Sequence, residues 1–118
     1  MESSVADDLR VLAKTVQDRM AQEKQDRRNI INKDIVGPEY ERVIEAAKTN
    51  AARGEFELRN FVVFDLSDDK RFSLEDSLGD NFLNIALDLL IEKLIKDGFV
   101  NVDRSHHSLS EIMINMGW

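Results

Sequence analysis

Between Asn81 and Lys96 the chain places ten apolar side chains in sixteen residues: Phe82, Leu83, Ile85, Ala86, Leu87, Leu89, Leu90, Ile91, Leu94 and Ile95. Asn84, Asp88, Glu92 and Lys96 form a polar stripe at i, i+4 spacing. A helix that is apolar around most of its circumference has to lie at the centre of a core, so everything else must pack around this segment. Asp80 or Asn81 is placed to cap it, and Gly98 ends it.

Beyond Gly98 the chain has the pattern of a hairpin. Phe99–Asp103 reads as a short strand, Arg104–Ser108 as a turn, and Leu109–Trp118 as a second strand with Ile112, Ile114, Met116 and Trp118 on one face. Upstream, Phe56, Leu58, Val62, Phe64 and Leu66 alternate along one face, interrupted at Asn60, which predicts an eleven-residue strand. Phe61 and Val63 give its second face apolar cover. Ser67–Asp80 reads as a polar loop anchored by Phe72 and Leu74. Before the strand, Tyr40, Val43, Ile44 and Ala47 have helical spacing between Pro38, suited to a first helical position, and Gly54, a stop; this predicts a helix over Pro38–Arg53.

The N-terminal segment differs in kind. Val5, Leu9, Leu12 and Val16 keep 4-3-4 spacing and Met20 continues it, giving one narrow apolar seam along a helix. Ser3 or Ser4 is placed to cap this helix, and Asp7 and Asp8 favour its dipole from the first turn. Ala21–Asn29 carries no large apolar side chain, so a helix there is wet all round and acts as a spacer. The seam has two destinations: the chain's own body or another protein. The pair Gly37-Pro38 marks a break between arm and body. The expected class is therefore α+β, with a helical arm and linker over 1–36. The rest, 37–118, is expected to be a compact domain, a small, mostly antiparallel three-stranded sheet packed on two helices.

Charge and composition narrow the function. The 118 residues suit one domain, and their 42% hydrophobic content supplies a modest core. No run approaches the roughly 20 apolar residues of a membrane span, and the opening residues lack the basic start and apolar core of a secretory signal. With no cysteine, disulfides and thiol chemistry are excluded and a cytoplasmic setting is the natural reading, though a cysteine-free chain also survives outside. The net charge of −7 is uneven: residues 1–33 carry seven Lys/Arg against six Asp/Glu, residues 34–118 nine against seventeen. So acidic a body repels phosphate backbones, and the central helix lacks the basic face of a winged-helix reader, which argues against nucleic acid.

Candidate chemistry is sparse. His106-His107 points two ways from a hairpin tip, which does not suit one metal. Asp65, Asp68, Asp69, Glu75, Asp76 and Asp80 crowd one stretch, but Lys70 and Arg71 interrupt any calcium-loop spacing. No phosphate loop, nucleophile elbow or zinc motif is present, so no cofactor and no catalytic residue is assigned. The residues singled out are Val5, Leu9, Leu12, Val16, Met20 and Trp118 as protein-binding. Trp118 has two readings, a ring closing the core or a contact on a neighbouring chain.

An Ala-rich helix (Glu45-Ala46-Ala47, Ala51-Ala52), Gly54, a strand, then Leu94-x-x-x-Gly98-Phe99-x-Val, a polar turn and a strand ending in Trp118 form a recognisable order. It resembles small proteins of tailed phages and large DNA viruses, several of them virion-associated, that finish with Gly-Tyr/Phe-x-Val … Ile-Ser-Trp. The likeness covers about Pro38–Trp118 and departs at Asn115-Met116-Gly117. It implies a viral structural or accessory protein, oligomeric, whose arm docks on other chains. The alternative class is an acidic regulator that presents its body to a basic host protein surface.

Overall fold

The computed structural model describes residues 4–105 and 111–118. Helix α1 spans Val5–Ile30. Ser4 caps it as expected: its Oγ accepts the Asp7 N–H (3.1 Å), with Asp7 and Asp8 in the first turn.

The chain does not break at Gly37-Pro38. A π-helical turn, Ile31–Val36, carries α1 straight into α2, Gly37–Ala52. The reason lies in proline chemistry. Pro38 has no N–H to give the carbonyl four residues back, and its ring crowds that carbonyl. Widening the turn just before it relieves the crowding: Gly37 N–H reaches back five residues to Asn32 O. The widening also re-aims the helix. At 3.6 residues per turn, positions five apart diverge by about 140°, yet Ile31 and Val36 are both fully buried. The core thus reaches back to Ile31.

Gly54 and Gly98 close α2 and the central helix α4, Phe82–Lys96, in the same way. Each glycine has positive φ (82° and 99°). Glu55 N–H returns to Asn50 O (3.0 Å) and Phe99 N–H to Leu94 O (3.2 Å), so both ends are Schellman motifs. The stretch expected as a loop contains a further helix, α3, Asp68–Leu78. Ser67 caps it by accepting Lys70 N–H, Asp68 and Asp69 sit in its first turn, and Leu78 anchors it in the core while Phe72 stays exposed.

Strands β1 (Glu57–Val63), β2 (Val100–Ser105) and β3 (Ile112–Gly117) form one antiparallel sheet in the order β1-β3-β2. The fold is α+β, as the hydrophobic periods indicated. β1 is shorter than expected and changes phase. Leu58 pairs with Met116 and Phe61 with Ile114, so β1 carries one extra residue, a bulge at Asn60 (φ 52°). After it the core face is taken by Phe61 and Val63 rather than Val62, which lies half-buried opposite Met113. Phe56, which the alternation puts on the core side, is exposed. β2 repeats the device: Val100 pairs with Gly117 and Asp103 with Asn115, with Asn101 (φ 54°) in the bulge.

The core is built from Ile31, Val36 and Val43 of the long helix, from Phe82, Ala86, Leu87, Leu90 and Leu94 of α4, and from Leu58, Val63, Ile114 and Met116 of the sheet. Asn84, Asp88, Glu92 and Lys96 are all exposed, as the stripe required. His106-His107 lies outside the described residues.

Candidate protein-binding site

The molecule measures 76 × 33 × 21 Å with a radius of gyration of 19.8 Å. A compact chain of this length has about 13–14 Å. The excess belongs to the helix: at 1.5 Å per residue, Val5 to Ala52 runs about 70 Å, and only its second half packs on the sheet and α4. No residue described in α1 is buried. Of the seam, Val5 is 75% exposed, Leu9 59%, Leu12 60% and Met20 61%, while Val16 is half-buried. Val11, off the seam, is exposed as well. The structure sets the five seam residues along one line of α1, four of them exposed and Val16 half-buried.

Side-chain bonds along α1 are local among the described residues. Arg10 pairs with Asp7 (2.9 Å), Thr15 donates to Val11 O (2.8 Å), and Gln22 and Gln25 donate to Asp26 and Asn29. The first ion pair to the body is Arg28 with Glu92 on α4 (3.8 Å). The polar run Ala21–Asn29 is therefore helical and exposed at every residue, meets α4 only in its last turns, and holds the seam away from the core.

Trp118 sits apart from this line. It is half-buried against the core, and its N–H donates to Phe56 O (3.1 Å). It shares with Phe56, Val100 and Asn115 the wall of a shallow concavity of ≈ 620 Å³ on the sheet. Inside that concavity Asn115, central on β3, ties the two bulges together. Asn60 N–H donates to Asn115 Oδ1 (2.8 Å), and Asn115 Nδ2 donates to Asp103 Oδ1 (2.8 Å). Periodicity registers only a break at Asn60; the matching Asn101 and Asn115 give no sign until the register is known.

Two polar clamps fix α2 to its neighbours. Glu39 Oε1 accepts from Phe64 N–H (3.1 Å) and from Arg42 Nη2 (2.5 Å), and Arg42 also donates to Val62 O. The Arg42 guanidinium stacks over the Phe61 ring at 4.7 Å. This clamp holds Phe64 at φ 55°, an uncommon angle for a bulky residue, and so turns its ring into the core. On the other side Tyr40 Oη donates to Asp97 Oδ2, with Lys93 Nζ 4.3 Å from the ring centre. The Tyr40 phenol is pushed up to about 12, first by that hydrogen bond to a carboxylate, then by burial and the negative charge of Asp97 and Glu41.

In both clamps the carboxylate is engaged by donors from its own chain. Among the described residues no three His, Asp or Glu side chains gather to hold a metal ion, and no helix is long and apolar enough to cross a membrane. Family models, curated proteins and solved structures give no match to this chain.

Proposed function

We propose that this chain is a non-catalytic assembly protein that binds another protein through Val5, Leu9, Leu12, Val16 and Met20 of α1. One observation carries the reading: five apolar side chains share a helical line, and among the described residues of α1 none is buried. Burying a large apolar side chain fully is worth about 1.5–3 kcal/mol, so five supply about 7–15 kcal/mol. Association costs roughly 4–15 kcal/mol. The seam is therefore enough to bind only where the facing surface is itself apolar and matches its spacing. The spacer Ala21–Asn29 supports the same reading, because it presents the seam clear of the acidic body. The likeness of Pro38–Trp118 to virion-associated proteins supports a place in a viral particle.

The test is the pair Leu9→Glu and Leu12→Glu. The expected result is loss of the assembled mass in light scattering, with the thermal unfolding of the body unchanged in dilute solution. An assembled mass equal to that of the parent chain refutes the site.

A further inference from the structure

We infer that the surface covering α1 is the α1 of a second copy of this chain, running antiparallel. The inference rests on the reading of the seam as an interface and adds its occupant and direction.

The seam reverses onto itself. Its positions are 5, 9, 12, 16 and 20. Opposing two helices so that facing residue numbers sum to 25 sets Val5 against Met20 and Leu9 against Val16. Leu12 then meets Leu12 of the other copy, offset by about 1.5 Å along the axis. Every large apolar side chain of the seam meets apolar surface.

Charge selects the direction. A helix turns about 100° per residue, so positions eleven apart lie within about 20° of one line. Asp8 and Arg19 therefore share one flank of the seam, while Ala6, Ala13 and Lys24 lie on the other. Both Asp8 and Arg19 are exposed, and neither is paired within the chain among the described residues. In an antiparallel pair like flanks face each other, and the same register sets Asp8 against Arg19 of the other copy with an axial offset of about 3 Å. By symmetry this happens twice. In a parallel pair opposite flanks meet: Asp8 faces Ala13, and Arg19 faces Lys24 of the other copy, a repulsion that also happens twice. Self-pairing thus satisfies two otherwise unpartnered charges in one direction only. The spacer gives it room, since the overlap ends near residue 20 and the body joins the helix at Arg28–Ile31.

The chain contains no cysteine, so single cysteines report geometry without interference. Light scattering of the full chain is expected to give twice the 13.6 kDa of one copy. When differently tagged Val5→Cys and Met20→Cys chains are mixed and oxidised, the expected product is the mixed disulfide. Disulfides of each variant with itself in preference to the mixed one overturn the antiparallel order. Asp8→Arg is expected to weaken self-association about tenfold, two surface pairs being turned from attraction to repulsion, and adding Arg19→Asp to restore it. No rescue overturns the assignment of these charges. A wild-type chain that stays at one copy's mass at its highest soluble concentration overturns self-pairing alone, if Leu9→Glu and Leu12→Glu still abolish binding to some other protein. A dimer that survives those two substitutions overturns the seam itself.

Discussion

The long helix is continuous in backbone but divided in energy, and two alanine substitutions on it separate the halves. Ile31 is fully buried at the π-helical turn, whereas Leu9, twenty-two residues earlier, is 59% exposed. Truncating a buried isoleucine to alanine costs about 2–5 kcal/mol, from lost transfer free energy and the cavity left behind. For a unit of the size that starts at Ile31, each kcal/mol moves the Tm by roughly 4–8 °C. A loss of about 3 kcal/mol therefore lowers the Tm by roughly 12–24 °C in Ile31→Ala. Leu9→Ala removes little from water that was not already in it, and the expected change is within about 0.5 kcal/mol. Trp118 is the single tryptophan and packs on the core, so its fluorescence reports the body and not the arm. Dilute protein is needed, because under the proposed assembly a higher concentration stabilises the chain by mass action and Leu9→Ala then lowers the Tm as well. A fall of more than a few degrees for Leu9→Ala in dilute solution would mean that the arm folds onto the body. An unmoved Ile31→Ala would mean that the core does not reach back past Gly37. Either result refutes the division.

The polar contacts are open to test at two points. Tyr40 is the single tyrosine, so its ionisation is read directly from absorbance; with the phenol pushed up to about 12, only about one molecule in a hundred is ionised at pH 10, where a free phenol is half ionised. The raised value favours the neutral phenol in the folded state, so its stabilising contribution is complete below about pH 10 and is lost as the pH rises through about 12. Asp97→Asn is expected to return the midpoint toward 10, and a half-ionised Tyr40 at pH 10 in the parent chain refutes the contact. Asn115→Ala removes two hydrogen bonds that join the bulges, at a cost of about 1–2 kcal/mol in urea unfolding, with faster exchange of the Asn60 amide. An unchanged Asn60 exchange rate shows that the bulge holds its shape without Asn115.

The parts of the fold that are legible in the sequence are those in which one strong period dominates. α4 declares itself through ten apolar residues and a four-residue stripe, and β3 through Ile112, Ile114 and Met116. Where two signals compete, the local one misleads. Gly37-Pro38 has the composition of a boundary, but tertiary burial of Ile31 and Val36 carries the helix through it, and a π turn absorbs the missing N–H. α3 is hidden because a helix that buries mainly Leu78 has almost no apolar period to detect; its only sign is Ser67-Asp68-Asp69, a cap with acidic residues after it. Alternation puts Phe64 on the right side for the wrong reason, since its burial depends on a left-handed backbone held by Glu39. The seam on α1 is readable because a 4-3-4 pattern survives whatever covers it. Its cover is not, because the choice between own body and second chain depends on where the body lies.

The sheet bears on the proposal that association falls to the arm. In the order β1-β3-β2 the two outer strands are the exposed edges, and unpaired edge backbone is a standing invitation to further strands. Both edges carry a bulge, at Asn60 and at Asn101, and both bulges lie opposite the same stretch of β3. A bulge twists the edge and breaks its hydrogen-bonding repeat, so a new strand meets a mismatched ladder on either side. Asn115 holds both distortions at once from the central strand. A body with blunted edges and a surplus of negative charge resists association with its own kind. The long apolar line left largely exposed among the described residues is on α1, and it ends about 12 Å before the helix meets the body at Arg28. Blunted edges and an exposed seam agree with the proposal that copies meet by their arms while their sheets stay apart.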